Sequence, residues 1–223
     1  MISAHEIAAG NHKHDKALAL WEILSVVTSC LIFEWIVISF AGSSKIAAAI
    51  PITLALALMI FSHRERGETA KEIGFRFDNF LAAARLLLLP TFIVAALILT
   101  LGWYGRGPFG FAPLRLRFLS LPIGALFQQY ALQGFINRRA QLAAGPGFKS
   151  IVLVAILFSL LHLPNPLLTT LTLVGGLVWA AVYQRAPNLF ALAISHALLS
   201  LLLAFSLPPH LVYNLRVGLK YFG

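Results

Sequence analysis

The apolar runs of this chain are too long and too little interrupted to be the half-buried helices of a water-soluble core. They cover 18–41, 46–61, 80–104, 118–136, 150–162, 167–184 and 189–207, and the breaks between them are short. A hydrocarbon layer about 30 Å thick takes about 20 apolar residues per crossing helix. Inside it, only helices and closed barrels satisfy their own backbone N–H and C=O groups. The sequence therefore predicts an all-α, polytopic membrane protein with about seven transmembrane helices. A polar N-terminal tail would occupy 1–17, the transmembrane helical domain 18–207 and a short C-terminal tail 208–223. The first run exceeds the roughly 7–15 residue core of a cleavable signal peptide, so it is expected to stay as an anchor. The 150–162 run is short and is stopped by Pro164 and Pro166, which predicts a helix ending within the membrane thickness under cover of its neighbours. A Gly-, Pro- and Arg-rich stretch over 105–117 is expected to be a loop.

Charge is scarce, at 11% of residues against 59% apolar, and the net +9 is scattered among the breaks. With no single basic stripe, nucleic acid is not an expected partner; the lipid bilayer is. If the N-terminus is cytoplasmic, the inner loops hold ten Lys and Arg, from Lys13 to Arg185, against six outside, from Lys45 to Lys220. That bias predicts a multi-pass protein of the cell membrane with its N-terminus inside. Cys30 is the only cysteine, which excludes an internal disulfide and a thiolate metal cluster. All eight acidic residues lie at or before Asp78, so no mechanism can draw an Asp or Glu from 79–223. His12 and His14 sit in the polar start of the chain, where a solvated, disordered tail is the expected reading.

Polar side chains inside apolar runs cost free energy unless partnered, and they are where function is expected. Gln128, Gln129 and Gln133 fall in one run, Ser159 and His162 in the next, and Asn188, Ser195, His196 and Ser200 in or beside the last; Glu34 is the one carboxylate well inside a run. On an α-helix, Gln129, Gln133 and Asn137 share a face. Such amides alone read as glue between helices, at about 0.6–2 kcal/mol per contact. Membrane histidines are hydrogen-bonded glue, metal ligands or proton carriers. Two of them together with three glutamines suggest one convergent buried site.

The order of these residues resembles the CAAX prenyl protease and bacteriocin-processing family of intramembrane proteases, also called CPBP or Abi, over about 118–205. Phe158 and His162 match its Phe-x-x-x-His element, Tyr183, Asn188 and Leu189 its approach to the last histidine, and His196 that histidine. The connector Lys71 to Phe77, KEIGFRF, is more loosely similar. Where the family carries a Glu-Glu pair followed by an arginine, this chain has Gln128, Gln129 and Gln133; Ser200 stands where Asn is usual. The resemblance implies that Gln128, Gln129, Gln133, His162, His196 and Ser200 occupy the catalytic positions. It also implies that His162 and His196 are where water or a divalent metal such as zinc would be held. Glutamine accepts no proton at useful pH, so the pair cannot act as the base that the family's glutamate supplies. Gln129 and Gln133 are expected to form a neutral hydrogen-bonded pair in place of a buried ion pair.

Three functions follow as expectations. One is a divergent intramembrane endopeptidase homologue that acts on or binds a membrane-associated or lipidated peptide, without ordinary glutamate-dependent proteolysis. Another is a non-catalytic peptide-binding or immunity module. A small transporter through Glu34, His162 and His196 is the third, against which the lack of paired repeats counts. Glu34 would either pair with Arg85 or an amide, or, if the first helix packs on the site, reach the histidines.

Overall fold

The computed structural model describes residues 4–37, 40, 45–105, 107, 109 and 117–222. Most of the expected loop over 105–117 thus lies outside the described residues. All regular structure among the described residues is helical. Helix α1 spans Ala4–Ile32 and loosens into a π-helical turn at Phe33–Val37. It includes the polar start of the chain, which corrects the expectation of a disordered tail there. Helix α2 covers Lys45–Glu65, the short α3 Ala70–Ile73 and α4 Phe80–Tyr104. Helix α5, Arg117–Gln129, passes through a π-helical stretch at Tyr130–Asn137 into α6, Arg138–Ala144. Helices α7 (Phe148–Leu160), α8 (Pro166–Arg185) and α9 (Leu189–Ser206) complete the bundle.

Among the described residues, four helices are long and apolar enough to cross a membrane: His14–Val37, Phe80–Tyr104, Pro166–Arg185 and Leu189–Ser206. Of the other apolar runs, α2 is 21 residues long and carries Pro51, α7 has 13 residues, and α5 continues through the π-helical stretch into α6. The outer faces are apolar and exposed, as at Leu88, Leu89, Phe92 and Ile93 of α4, which is the surface that lipid covers.

Inside the bundle, small residues allow close crossings. A Cβ on Gly176 of α8 would stand 2.9 Å from Ala155 Cα of α7, and one on Gly102 of α4 would stand 2.6 Å from Ser206 O at the end of α9. Lacking a hydrophobic drive between helices in lipid, such van der Waals fit is what holds them.

Two polar devices set the helix register at one end. Arg139, fully buried, makes ion pairs to Glu22 of α1 at 2.9 Å and Glu68 at 2.8 Å, and donates to Ser62 Oγ of α2 at 2.8 Å. Arg66 reaches Glu22 at 3.1 Å, and Arg138 and His63 each reach Glu68 at 2.6 Å. Burial pushes the Glu68 carboxyl up, but hydrogen bonds from His63, Arg139 and Arg138 overcome this and hold it well below the usual carboxylate range.

The second device is the KEIGFRF connector. Thr69 and Glu72 cap α3 reciprocally, and Gly74 turns the chain at φ 110°. The Gly74 carbonyl accepts from Leu189 N at 2.9 Å, the Ile73 carbonyl accepts from the Tyr183 hydroxyl at 2.7 Å, and Asn188 Nδ2 donates to Arg76 O at 2.6 Å. A Cβ on Gly74 would come within 3.3 Å of Leu189 N, so the left-handed turn and the close approach both select glycine. Asn188 also caps α9 through Ala191 N at 2.9 Å.

Candidate functional site

Helices α1, α2, α4, α5, α7, α8 and α9 surround a cavity of about 610 Å³. Its wall is mostly apolar, and its polar members include Gln128, His162, His196, Ser200 and Glu34. The two histidines come from different helices and are joined through Phe158, whose ring meets His162 edge-on at 4.7 Å and His196 at 5.9 Å. His162 Nδ1 donates to Phe158 O at 2.7 Å, one turn back, which leaves Nε2 as its other ring nitrogen. His196 lies on the Trp179 ring at 4.7 Å, and its Nδ1 is 3.4 Å from Gln129 Nε2. Trp179 Nε1 donates to Ser195 Oγ at 3.2 Å, and Ser195 Oγ lies 2.8 Å from Thr91 Oγ1 of α4.

The glutamines separate. Gln128 lines the cavity, Gln129 is buried behind His196, and Gln133 is buried one turn further on. The expected Gln129–Gln133 hydrogen bond does not form. Gln133 Oε1 accepts from Asn137 at 2.7 Å, while Gln129 Oε1 and Gln133 Nε2 have no hydrogen-bond partner among the described residues. The Gln133 oxygen is taken by Asn137, four residues further on, and the Gln129 amide nitrogen lies against His196 instead. From Asn137 the network continues outward: its Oδ1 accepts from Gln141 at 3.1 Å and Gln184 at 2.9 Å, and Gln184 donates to Ser150 at 2.9 Å.

A catalytic zinc takes three protein ligands plus water. Among the described residues no group of three or more His, Cys, Asp or Glu is arranged to hold a metal. Two histidines with one ring nitrogen each already engaged fall short of that donor set.

Sequence reasoning missed Trp179, Thr91, Gln184 and Ser150. Only Trp179, the bulky neighbour of Gly175 and Gly176, carried a signal, as an aromatic beside small residues on a helix. Arg138 and Arg139, two basic residues after an apolar run, have the pattern of a stop at the water interface, yet Arg139 is fully buried and ion-paired. Glu22 is one of its partners. Glu34 forms no ion pair with Arg85 or any other described cation; it lines the same cavity as the histidines.

An apolar helical bundle enclosing a histidine- and amide-bearing cavity defines a multi-pass membrane protein with an interior site. Residues 110–202 match the family model of the type II CAAX prenyl endopeptidase Rce1-like proteins, a match that supports the resemblance to the CPBP/CAAX protease family over that part of the chain. No curated protein and no solved structure matches it.

Proposed function

We propose that the protein receives a membrane-associated or lipidated peptide in the cavity, and that hydrolysis by a glutamate pair is not its activity. The observation that carries this reading is that Gln128, His162, His196 and Ser200 open onto one cavity of about 610 Å³ while the helix bearing the glutamines offers it only amides. A cavity of that size, mostly apolar with a few convergent polar groups, suits a ligand that is itself mostly apolar. Amides and hydroxyls can bind a peptide backbone, which offers both donors and acceptors. They cannot take a proton from water, which the hydrolytic step needs.

In this reading all seven apolar runs lie in the cell membrane, the short α7 within the bundle, with the N-terminus in the cytoplasm. The amide-for-acid replacement also favours a second reading, a non-catalytic module that escorts a peptide or confers immunity to one.

The test is capture and cleavage of a panel of membrane-anchored peptides, with and without a lipid chain, by purified protein in lipid. Wild type, His162→Ala, His196→Ala and the double variant Gln128→Glu, Gln129→Glu are compared. The expected result is capture without cleavage by wild type and at least tenfold weaker capture by the histidine variants. Cleavage by wild type that disappears in the histidine variants overturns the claim that the amides abolish hydrolysis.

A further inference from the structure

Glu34 is unlike every other polar group of the cavity. It is the only carboxylate in the lining, and no Lys or Arg lines the cavity among the described residues. Its Oε2 is buried and has no hydrogen-bond partner among the described residues. Its backbone position is fixed. Glu34 lies in the π-helical turn Phe33–Val37, and a Cβ on Gly218, at φ 59°, would overlap the Glu34 carbonyl oxygen. The Gly218 amide also donates to Leu163 O at 2.8 Å, next to His162. One glycine of the C-terminal segment thus ties the Glu34 turn to the end of the cavity where His162 stands, while Leu215 and Val217 close the wall beside it.

A carboxyl group held in an apolar cavity without a donor is costly, and the cost is removed when the partner arrives with the ligand. Among the described residues the lining offers one carboxyl group and no Lys or Arg, which makes it complementary to a ligand that carries a cation.

We propose that the occupant of this cavity is an apolar peptide segment bearing one basic group, a lysine ammonium or an amino terminus, and that Glu34 receives that group. This rests on the peptide-binding reading above and adds to it a charge requirement. Glu34 here is a specificity-determining residue, and the amides and histidines meet the peptide backbone around it.

The experiment uses the full chain in lipid nanodiscs and two fluorescent apolar peptides that are identical except for one central residue, lysine or norleucine. Dodecylammonium and dodecanol serve as a second pair, small enough to test the charge without the peptide. Binding is measured to wild type and to Glu34→Gln, which keeps the side-chain shape; thermal unfolding reports whether the variant is folded. The expected result is that wild type prefers the lysine peptide by about 30-fold or more. In Glu34→Gln the preference falls to within about threefold, and the norleucine peptide binds as before.

Equal binding of both peptides by wild type overturns the proposal whether or not the variant folds, and so does a preference that survives Glu34→Gln. If neither peptide binds but dodecylammonium is preferred over dodecanol and Glu34→Gln removes that preference, the charge requirement stands and the peptide reading falls. If no probe of either pair binds, both fall.

Discussion

The two polar regions of this bundle treat their groups in opposite ways. At the α2–α3 end, Glu22, Glu68, Arg139, Arg138 and His63 are formally charged or chargeable, and each carboxylate meets two or more donors. In and behind the cavity, the side chains of α5 are neutral amides, and Glu34 Oε2, Gln129 Oε1 and Gln133 Nε2 stand without partners among the described residues. The cluster is not free of unpartnered atoms, since His63 Nε2, Arg66 Nε and Arg139 Nε also lack a hydrogen-bond partner among the described residues. What sets it apart is that each of its carboxylates meets cations, whereas Glu34 meets none among the described residues. On the proposed function, the cluster acts as a structural lock and the cavity as a receiving site.

The largest effect is expected where the lock is broken. Glu68→Ala leaves Arg139, fully buried, and Arg138 without the carboxylate that joins them, which should cost about 3–5 kcal/mol of stability in denaturant unfolding. A loss under about 1 kcal/mol would break the contrast, because the cluster would then hold no more than a surface pair does.

Acid offers a milder way to open the same lock. Glu68 is held below its ordinary pKa in the folded protein, so its stabilisation is present above the unfolded value, near 4.3, and is lost as pH falls below that toward the folded value. The melting temperature of wild type should drop progressively below about pH 4, and Glu68→Gln should be less stable at neutral pH but flatter across that window. Parallel curves for the two proteins would show that another carboxylate governs the acid response.

What the sequence made legible followed from local signals, and what it hid depended on partners far along the chain. Helix α4 lies at Phe80–Tyr104 as expected because Asn79 and Gly105 bracket a long apolar run whose one charged residue is Arg85. Asn188 was legible as part of a motif, but its local work is to cap α9 and to hold the KEIGFRF connector. The role of Arg139 is hidden in the sequence, because two basic residues after an apolar run look like an interface stop and only folding brings Glu22 and Glu68 to it. Of the about seven crossings expected, four are visible among the described residues as helices long and apolar enough to cross, because length and hydropathy are local signals. The histidines and Ser200 were expected to share a site and do line one cavity, while the glutamines were expected to act as a stripe and are divided among three environments.

The smallest predicted effect separates amides that glue helices from amides that wait for a ligand. If Gln129 and Gln133 were glue, replacing either with leucine would cost about 0.6–2 kcal/mol. The geometry predicts otherwise. Gln129→Leu removes a carbonyl oxygen with no partner and forfeits only a 3.4 Å contact to His196, so stability should change by less than about 0.5 kcal/mol or rise. Gln133→Leu removes an unpaired amide but also the acceptor of Asn137, which keeps its 3.3 Å bond to Ala180 O; gain and loss are each about 1 kcal/mol and nearly cancel. Unfolding of the two variants in the same detergent checks both values, and peptide capture by Gln129→Leu checks the rest. Because Gln129 is the hydrogen-bonding neighbour of a histidine that lines the cavity, it should lose capture while keeping stability, whereas Gln133→Leu should keep both. A substitution at Gln129 that weakens the fold and leaves capture intact would move that amide from the receiving site to the lock.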